Sequence, residues 1–349
     1  MITRPVSICG VVVVVCFLLF IYSQRIPAIN EYRFIADAPS TPSTWKTEHK
    51  LVILLTEARS GSTWLGTLFQ QLDDLMYVFE PLDPRYVDVG RKDDGLDVAS
   101  SLSDPAKLQV LTSLCKCKFE NRLSAFGKAI YGHNSMSSVA QYDLAGNVQK
   151  GALHMQNFCS NFTITMAKCI RLFDLSIIKE LPNLECSNFL VIHLVRDPRA
   201  VIRSRLVTFH ELYTGNGSRY PTLNFTESEI QDAAEKICTA GVANDAISKE
   251  SWIKDKYMRI KYEDLVAHPH KMVLELYKFI NRPVSTQLTA FIDKSTTGSN
   301  IKSNYQVIKN SKEVAEKWKH MMEPSRIRAV ETACADFMRV YGYAVFEPL

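Results

Sequence analysis

The chain lacks most of the features that would assign it to a simple class. It has no internal repeat at a period of twenty to fifty residues, which excludes a solenoid or a propeller. It has no low-complexity bulk, and 46% of its 349 residues are hydrophobic, so a disordered chain is excluded. It has little excess charge: 41 basic residues stand against 37 acidic ones, leaving +4. A nucleic-acid binder carries a clustered basic face and a higher pI, so no nucleic acid is expected as a partner. The mild positive balance suits an anionic small molecule or a polyanionic sugar. The cysteines lack zinc spacing, since Cys115-x-Cys117 is tighter than the usual ligand gap, and no metal is expected. The chain also lacks the Gly-Lys-Ser/Thr of a phosphate-binding loop after its first buried strand. That absence argues against an ATP or GTP hydrolase and against a nucleotide kinase.

What is present begins at the N-terminus. Val6 to Tyr22 carries no charge. A bilayer span takes about 17–25 apolar residues, so this run sits at the short end. The nearest Ala-x-Ala, at Ala36–Ala38, lies well past it. An uncleaved signal-anchor is therefore expected rather than a cleaved signal. The predicted organisation is a short cytoplasmic tail (1–5), a transmembrane signal-anchor (6–22), a Pro/Ser/Thr-bearing stem (23–48) and a lumenal domain (49–349). The Asn-x-Ser/Thr sequons at Asn161, Asn216 and Asn224 agree with a lumenal domain and are its candidate glycosylation sites. Two of nine cysteines lie in the apolar run. The remaining seven, an odd number, predict disulfides in an oxidising lumen with at least one cysteine left free or pairing between chains.

Leu51–Leu55 is a run of apolar residues with polar neighbours, as in a strand buried on both faces. A Gly/Ser turn and a helical pattern over 64–69 follow. Further strands are predicted over Ile164–Ile170, Asn188–Val195 and Tyr257–Tyr262. Helices are predicted from the end of the Ile164–Ile170 strand through Leu181, and over 200–209, 227–249, 269–280 and 325–341. Residues 83–150 read as a long insertion with short helices, and 211–226 as a polar loop. Strands alternating with helices imply an α/β fold, a parallel sheet flanked by helices.

Two strand-to-helix corners carry chemistry. In the first, Arg59, Ser60, Gly61, Ser62, Thr63, Trp64 and Leu65 follow the first strand. Helix N-terminal amides, hydroxyls and a permanently charged guanidinium favour an anion there, and Gly61 lets the backbone approach closely. In the second, Arg196, Asp197, Pro198, Arg199, Ala200, Val201, Ile202, Arg203 and Ser204 turn a buried strand into a helix. Asp197 suits a helix cap and Pro198 an early helical position. Ser204 lies about two turns along, so it and Arg196 can address one phosphate. Either corner alone also reads as an ordinary turn with surface arginines.

Together the corners resemble the PAPS-dependent sulfotransferases, enzymes using 3′-phosphoadenosine 5′-phosphosulfate. Arg59–Thr63 resembles the family's 5′-phosphosulfate loop and Arg196–Ser204 its 3′-phosphate motif. Leu194–Val201, Phe79–Leu82, Lys168-x-x-Arg171-Leu-Phe-Asp174, Lys261–Leu265 and Trp318…Tyr341-Gly-Tyr343 are similar to the Golgi carbohydrate 6-O-sulfotransferases acting on Gal, GlcNAc or GalNAc. The resemblance covers about residues 50–345 and implies a P-loop-like parallel sheet. It implies PAPS as co-substrate and a glycan or glycosaminoglycan acceptor. It also implies a single-pass type II Golgi membrane protein held by one N-terminal helix, and leaves a homodimer open. The branch commonly reads Ser-Ser-Phe where this chain has Ser62-Thr63-Trp64.

Cytosolic relatives place a histidine base in Lys-x-His. Here the segment is Lys168-Cys169-Ile170, without the histidine. Heparan-type sulfotransferases use a glutamate after the first helix, and Glu80 occupies that kind of position. The resemblance therefore implies Glu80 as base, Lys168 on the sulfonate, Arg59 on the bridging oxygen and Tyr262 against adenine. His193, mid-strand, reads as a satisfied core histidine, and His154 is unassigned. The rival readings are a tyrosine-protein sulfotransferase and a non-catalytic lumenal carbohydrate-binding protein.

Overall fold

The apolar run after Lys50 forms β1 (Lys50–Thr56), the central strand of a parallel sheet. The computed structural model describes residues 49–83, 102–119, 152–214, 225–297 and 311–347. The expected anchor and stem, 1–48, and most of 83–150 lie outside the described residues. Among the described residues no helix is long and apolar enough to cross a membrane.

After β1 come α1 (Ser62–Phe69) and β2 (Leu75–Phe79), then α2 (Asp104–Lys116), α3 (Ala152–Cys159) and β3 (Ile164–Cys169). Next are β4 (Phe189–Val195), α4 (Pro198–Thr214), α5 (Glu227–Ile247), β5 (Tyr257–Lys261) and α6 (Tyr262–Ala267). The chain continues through α7 (Pro269–Phe279), α8 (Thr286–Thr297), α9 (Ser311–Glu316), α10 (Trp318–Met321), α11 (Pro324–Ala333) and α12 (Ala335–Tyr341). The strand order is β2-β3-β1-β4-β5, all parallel. The sheet grows to one side of β1 and then to the other, the arrangement in which α/β sheets open a crevice at their C-terminal edge.

Alternation along the strands sends side chains to two separate cores. Leu51, Ile53 and Leu55 pack with Met76, Val78, Ala167 and α2 on one face. Val52 and Leu54 pack with Tyr77, Met166, Ile192 and helices α1, α7 and α8 on the other. A third core joins α4 and α5 to α11 and α12. α1 lies so close to β2 that a Cβ on Gly66 would sit 2.3 Å from the Tyr77 hydroxyl.

Six of the seven domain cysteines pair: Cys115–Cys186, Cys117–Cys159 and Cys238–Cys334, leaving Cys169 buried and free. The first two bridges tie α2 to the sheet side, and the third ties α5 to the α11–α12 junction. Loops of 71, 42 and 96 residues are long enough for each bridge to contribute about 4–5 kcal/mol in a loop-closure account.

Four expectations are corrected. β2, a short run after Asp73-Asp74, was not anticipated. The helix expected through Leu181 is a 3₁₀ turn, Leu175–Glu180, begun by Asp174 accepting from the Ser176 amide at 2.8 Å. The single helix expected over 325–341 breaks at Cys334, whose φ of −109° leaves the helical region and whose sulfur is bonded to Cys238. Tyr262, expected to close a strand, instead opens α6.

Candidate functional site

Each strand delivers its candidate residues at its C-terminal end. The loop after β1 is tightly shaped: Arg59 and Gly61 both adopt left-handed backbone, with φ of 75° and 86°. For Arg59 this conformation costs roughly 1–2 kcal/mol. Arg205 holds the loop from α4, donating to Glu57 Oε2 at 3.1 Å and to the Ala58 carbonyl at 3.3 Å. Gly61 precedes α1 with no side-chain cap, so the first-turn amides face outward. A Cβ on Gly61 would lie 2.3 Å from the Tyr262 ring, so only glycine fits. Trp64 and Leu65 turn inward: Leu65 is core, and the Trp64 indole donates to Ser295 Oγ at 3.0 Å.

The two corners meet directly. Arg59 Nε donates to Ser204 Oγ at 3.2 Å, and Arg196 Nη1 donates to the Arg59 carbonyl at 2.8 Å. The Arg196 guanidinium lies 4.4 Å above the Tyr262 ring, and Nη2 donates to the Val314 carbonyl at 3.1 Å. Among the described residues its Nε and that of Arg203 are buried without a hydrogen-bond partner. Buried N–H groups are rarely left unmatched, so these two have donors to offer an acceptor from outside. Burial, then the neighbouring Arg196 charge, lower the pKa of Arg203.

Not every residue of the second corner joins this cluster. Arg199 is committed elsewhere: it pairs with Asp197 at 2.7 Å and with Glu331, donates to the Ala344 carbonyl at 2.9 Å and stacks 4.0 Å over Trp318. Asp197 accepts from the Arg199 amide at 2.9 Å, and its own amide donates to Glu263 at 3.0 Å. Pro198 starts α4, while Ala200, Val201 and Ile202 pack in the core, so only their backbone could serve a ligand.

A second cluster lies across the loop. The register places Lys168 beside Phe79 of β2 and Leu54 of β1. Its ammonium sits 3.8 Å over the Phe79 ring, 2.9 Å from Glu80 Oε1 and 3.3 Å from Thr63 Oγ1. Burial lowers the Lys168 pKa, Glu80 opposes that, and the charges of Arg59 and Arg171 add to the lowering. Glu80 leaves β2 with φ of 49°, another left-handed non-glycine. Its Oε2 accepts from Arg171 Nη1 at 3.2 Å, and Arg171 Nη2 reaches Asp83 at 3.1 Å. Two cations and two carboxylates thus balance in a nearly closed box. Asp83 was missed from sequence, although Glu80-x-x-Asp83 offers a spacing to notice.

His193 is a buried core histidine whose Nδ1 is 2.6 Å from the Tyr257 hydroxyl. Burial first, then Arg259, bring its pKa down to about 3. Asn161 is exposed, whereas Asn216 and Asn224 lie outside the described residues. His49, Cys117 and Cys159 come within 4.8 Å of one another, but the two sulfurs are joined in a disulfide and hold no thiolate for a metal.

The sulfotransferase domain family matches residues 49–342. Carbohydrate sulfotransferase 5 of Mus musculus is 27% identical over 340 residues, covering 87% of this chain and 83% of that protein. Carbohydrate sulfotransferase 3 of Tetronarce californica is 27% identical over 323 residues, covering 84% and 72%. Carbohydrate sulfotransferase 1 of Mus musculus is 26% identical over 333 residues, covering 84% and 79%.

Proposed function

We infer the reaction from one premise: this chain belongs to the sulfotransferase domain family. It transfers the sulfonate of PAPS to a carbohydrate hydroxyl, at the 6-O position of Gal, GlcNAc or GalNAc. It works as a Golgi membrane enzyme with residues 6–22 as anchor, 1–5 cytoplasmic, 23–48 as stem and 49–349 in the lumen. The observation that carries the donor reading is the pair of buried guanidinium N–H groups on Arg196 and Arg203, left without a partner among the described residues where the two corners meet. Such groups fit a phosphate. Arg196 and Ser204 would hold the 3′-phosphate, the amides and hydroxyls of residues 60–63 the 5′-phosphosulfate, and Tyr262 the adenine side.

PAPS supplies an activated sulfonate on a phosphate leaving group. The protein's share is positioning, charge and a proton acceptor. Glu80 takes the proton of the acceptor hydroxyl as its oxygen bonds to sulfur. The bond from sulfur to the 5′-phosphate oxygen breaks, and its electron pair leaves with adenosine 3′,5′-bisphosphate (PAP). Arg59 neutralises that oxygen, and Lys168 the sulfonate in flight.

The test is transfer of label from radiolabelled PAPS to separate keratan, chondroitin, desulfated N-glycan and tyrosine-containing peptide acceptors, using the full chain. Label on a sugar pool is expected. Label only on tyrosine-containing peptide, or PAPS binding with no transfer, contradicts the carbohydrate reading.

A further inference from the structure

Glu80 is held by two cations of different kinds, one on each oxygen. Oε2 faces Arg171, a planar fork whose other amino group is fastened to Asp83, itself 1% exposed. Oε1 faces Lys168 Nζ, a single ammonium on a flexible stem that also touches Thr63 Oγ1 in the loop after β1. We propose that the two cations divide the work on Glu80. Arg171, anchored on Asp83, is a positioning residue that fixes the aim of the carboxylate. Lys168 is a releasable cap that covers Oε1 until a sulfonate draws the ammonium away.

The inference rests on Glu80 being the base, and adds when that base becomes available. A guanidinium spanning two carboxylates has its geometry set by both, so it holds. An ammonium has three equivalent donors and can turn toward a new anion without leaving its strand. The box is balanced as it stands: Lys168 and Arg171 against Glu80 and Asp83. A sulfonate placed beside Lys168 and Arg59 adds negative charge on the Thr63 side. That pulls Nζ from Oε1 toward the loop, where it already has a contact. Oε1 is then free to accept a hydroxyl proton, while Oε2 stays clamped. The strained backbone of Glu80 agrees with this division, since a left-handed glutamate persists only where its surroundings hold it. Acceptor arriving before donor meets a capped base, so donor binds productively first.

Two measurements on the full chain test this, with PAP binding and melting temperature reporting the fold of each variant. The first compares affinity for PAPS with affinity for PAP, which lacks the sulfonate. Glu80→Gln loosens the cap, so PAPS should bind about 3–10-fold tighter than to the parent while PAP is unchanged, the scale of one net hydrogen bond. An equal change for both nucleotides, or none, overturns the cap. The second is the kcat and KM split of Arg171→Lys, which keeps the charge and loses the fork. We expect kcat to fall about 10–100-fold with donor KM within about threefold; Asp83→Asn should move the same way by less. Parental kcat in Arg171→Lys, beside an inactive Glu80→Gln, overturns the positioning role alone. Parental turnover in Glu80→Gln would defeat the base assignment itself, and this inference with it.

Discussion

The two halves of the site are built on opposite plans. On the side of Arg59, Arg196, Ser204 and Tyr262, backbone shape dominates: two left-handed residues, a glycine pressed under an aromatic ring, and guanidinium N–H groups without partners among the described residues. On the side of Glu80, Lys168, Arg171 and Asp83, every charge already has an opposite neighbour. On the proposed reading the first half is preorganised for an anion that comes from outside. The second already pairs its charges with one another, and on the proposed reading gives up a contact before it acts. Rigid recognition and switchable chemistry are, as proposed, separated within one crevice.

The strongest way to break this comparison is Glu80→Gln. Transfer should fall by about 10²–10⁴-fold, the usual share of a positioned base, with the fold intact. Rates with saturating donor and acceptor check it. Next is Arg196→Ala, which removes the cation stacked on Tyr262. Donor affinity should drop roughly 10–100-fold, the scale of one or two hydrogen bonds to a charged group. PAP titration reads this, and an unchanged affinity would detach the second corner from the donor. Gly61→Ala comes third. It places a methyl in the Tyr262 ring and an alanine in left-handed backbone, which costs roughly 1–2 kcal/mol before the clash is counted. PAP affinity should fall about tenfold or less while Glu80-side contacts persist.

The smallest effect concerns the floor under the first half, where His193 lies beneath the corner. Its folded pKa of about 3 is below the unfolded 6.5, so the unfolded chain binds a proton the folded one refuses. Stability is therefore lost as pH falls from about 6.5 toward 3, by at most about 1.4 kcal/mol per pH unit. Denaturation at pH 7 and 5.5 should show that loss in the parent, and less of it in His193→Asn.

The meeting of the two corners, proposed as the donor half, was legible because its signals are contiguous. Residues 59–65 and 196–204 each follow an unmistakable apolar run, and the parallel sheet brings the strand ends together. Arg199 was read with its neighbours, but its partners Glu331 and Ala344 are distant in sequence and leave no local mark. Of the carboxylate half, Glu80 and Lys168 were named. Their pairing was not, because it depends on β2, a five-residue strand inserted beside β3. Asp83 stayed hidden for the same reason. The break at Cys334 follows from a disulfide that periodicity does not register.

The most direct test of the separation is one titration series: PAP into the parent chain, Arg196→Ala and Glu80→Gln, with turnover measured on the same samples. The account predicts that Arg196→Ala loses nucleotide affinity, while Glu80→Gln keeps it and loses turnover. Parallel loss of nucleotide binding in Glu80→Gln would contradict it, because donor recognition and base would then be one device rather than two.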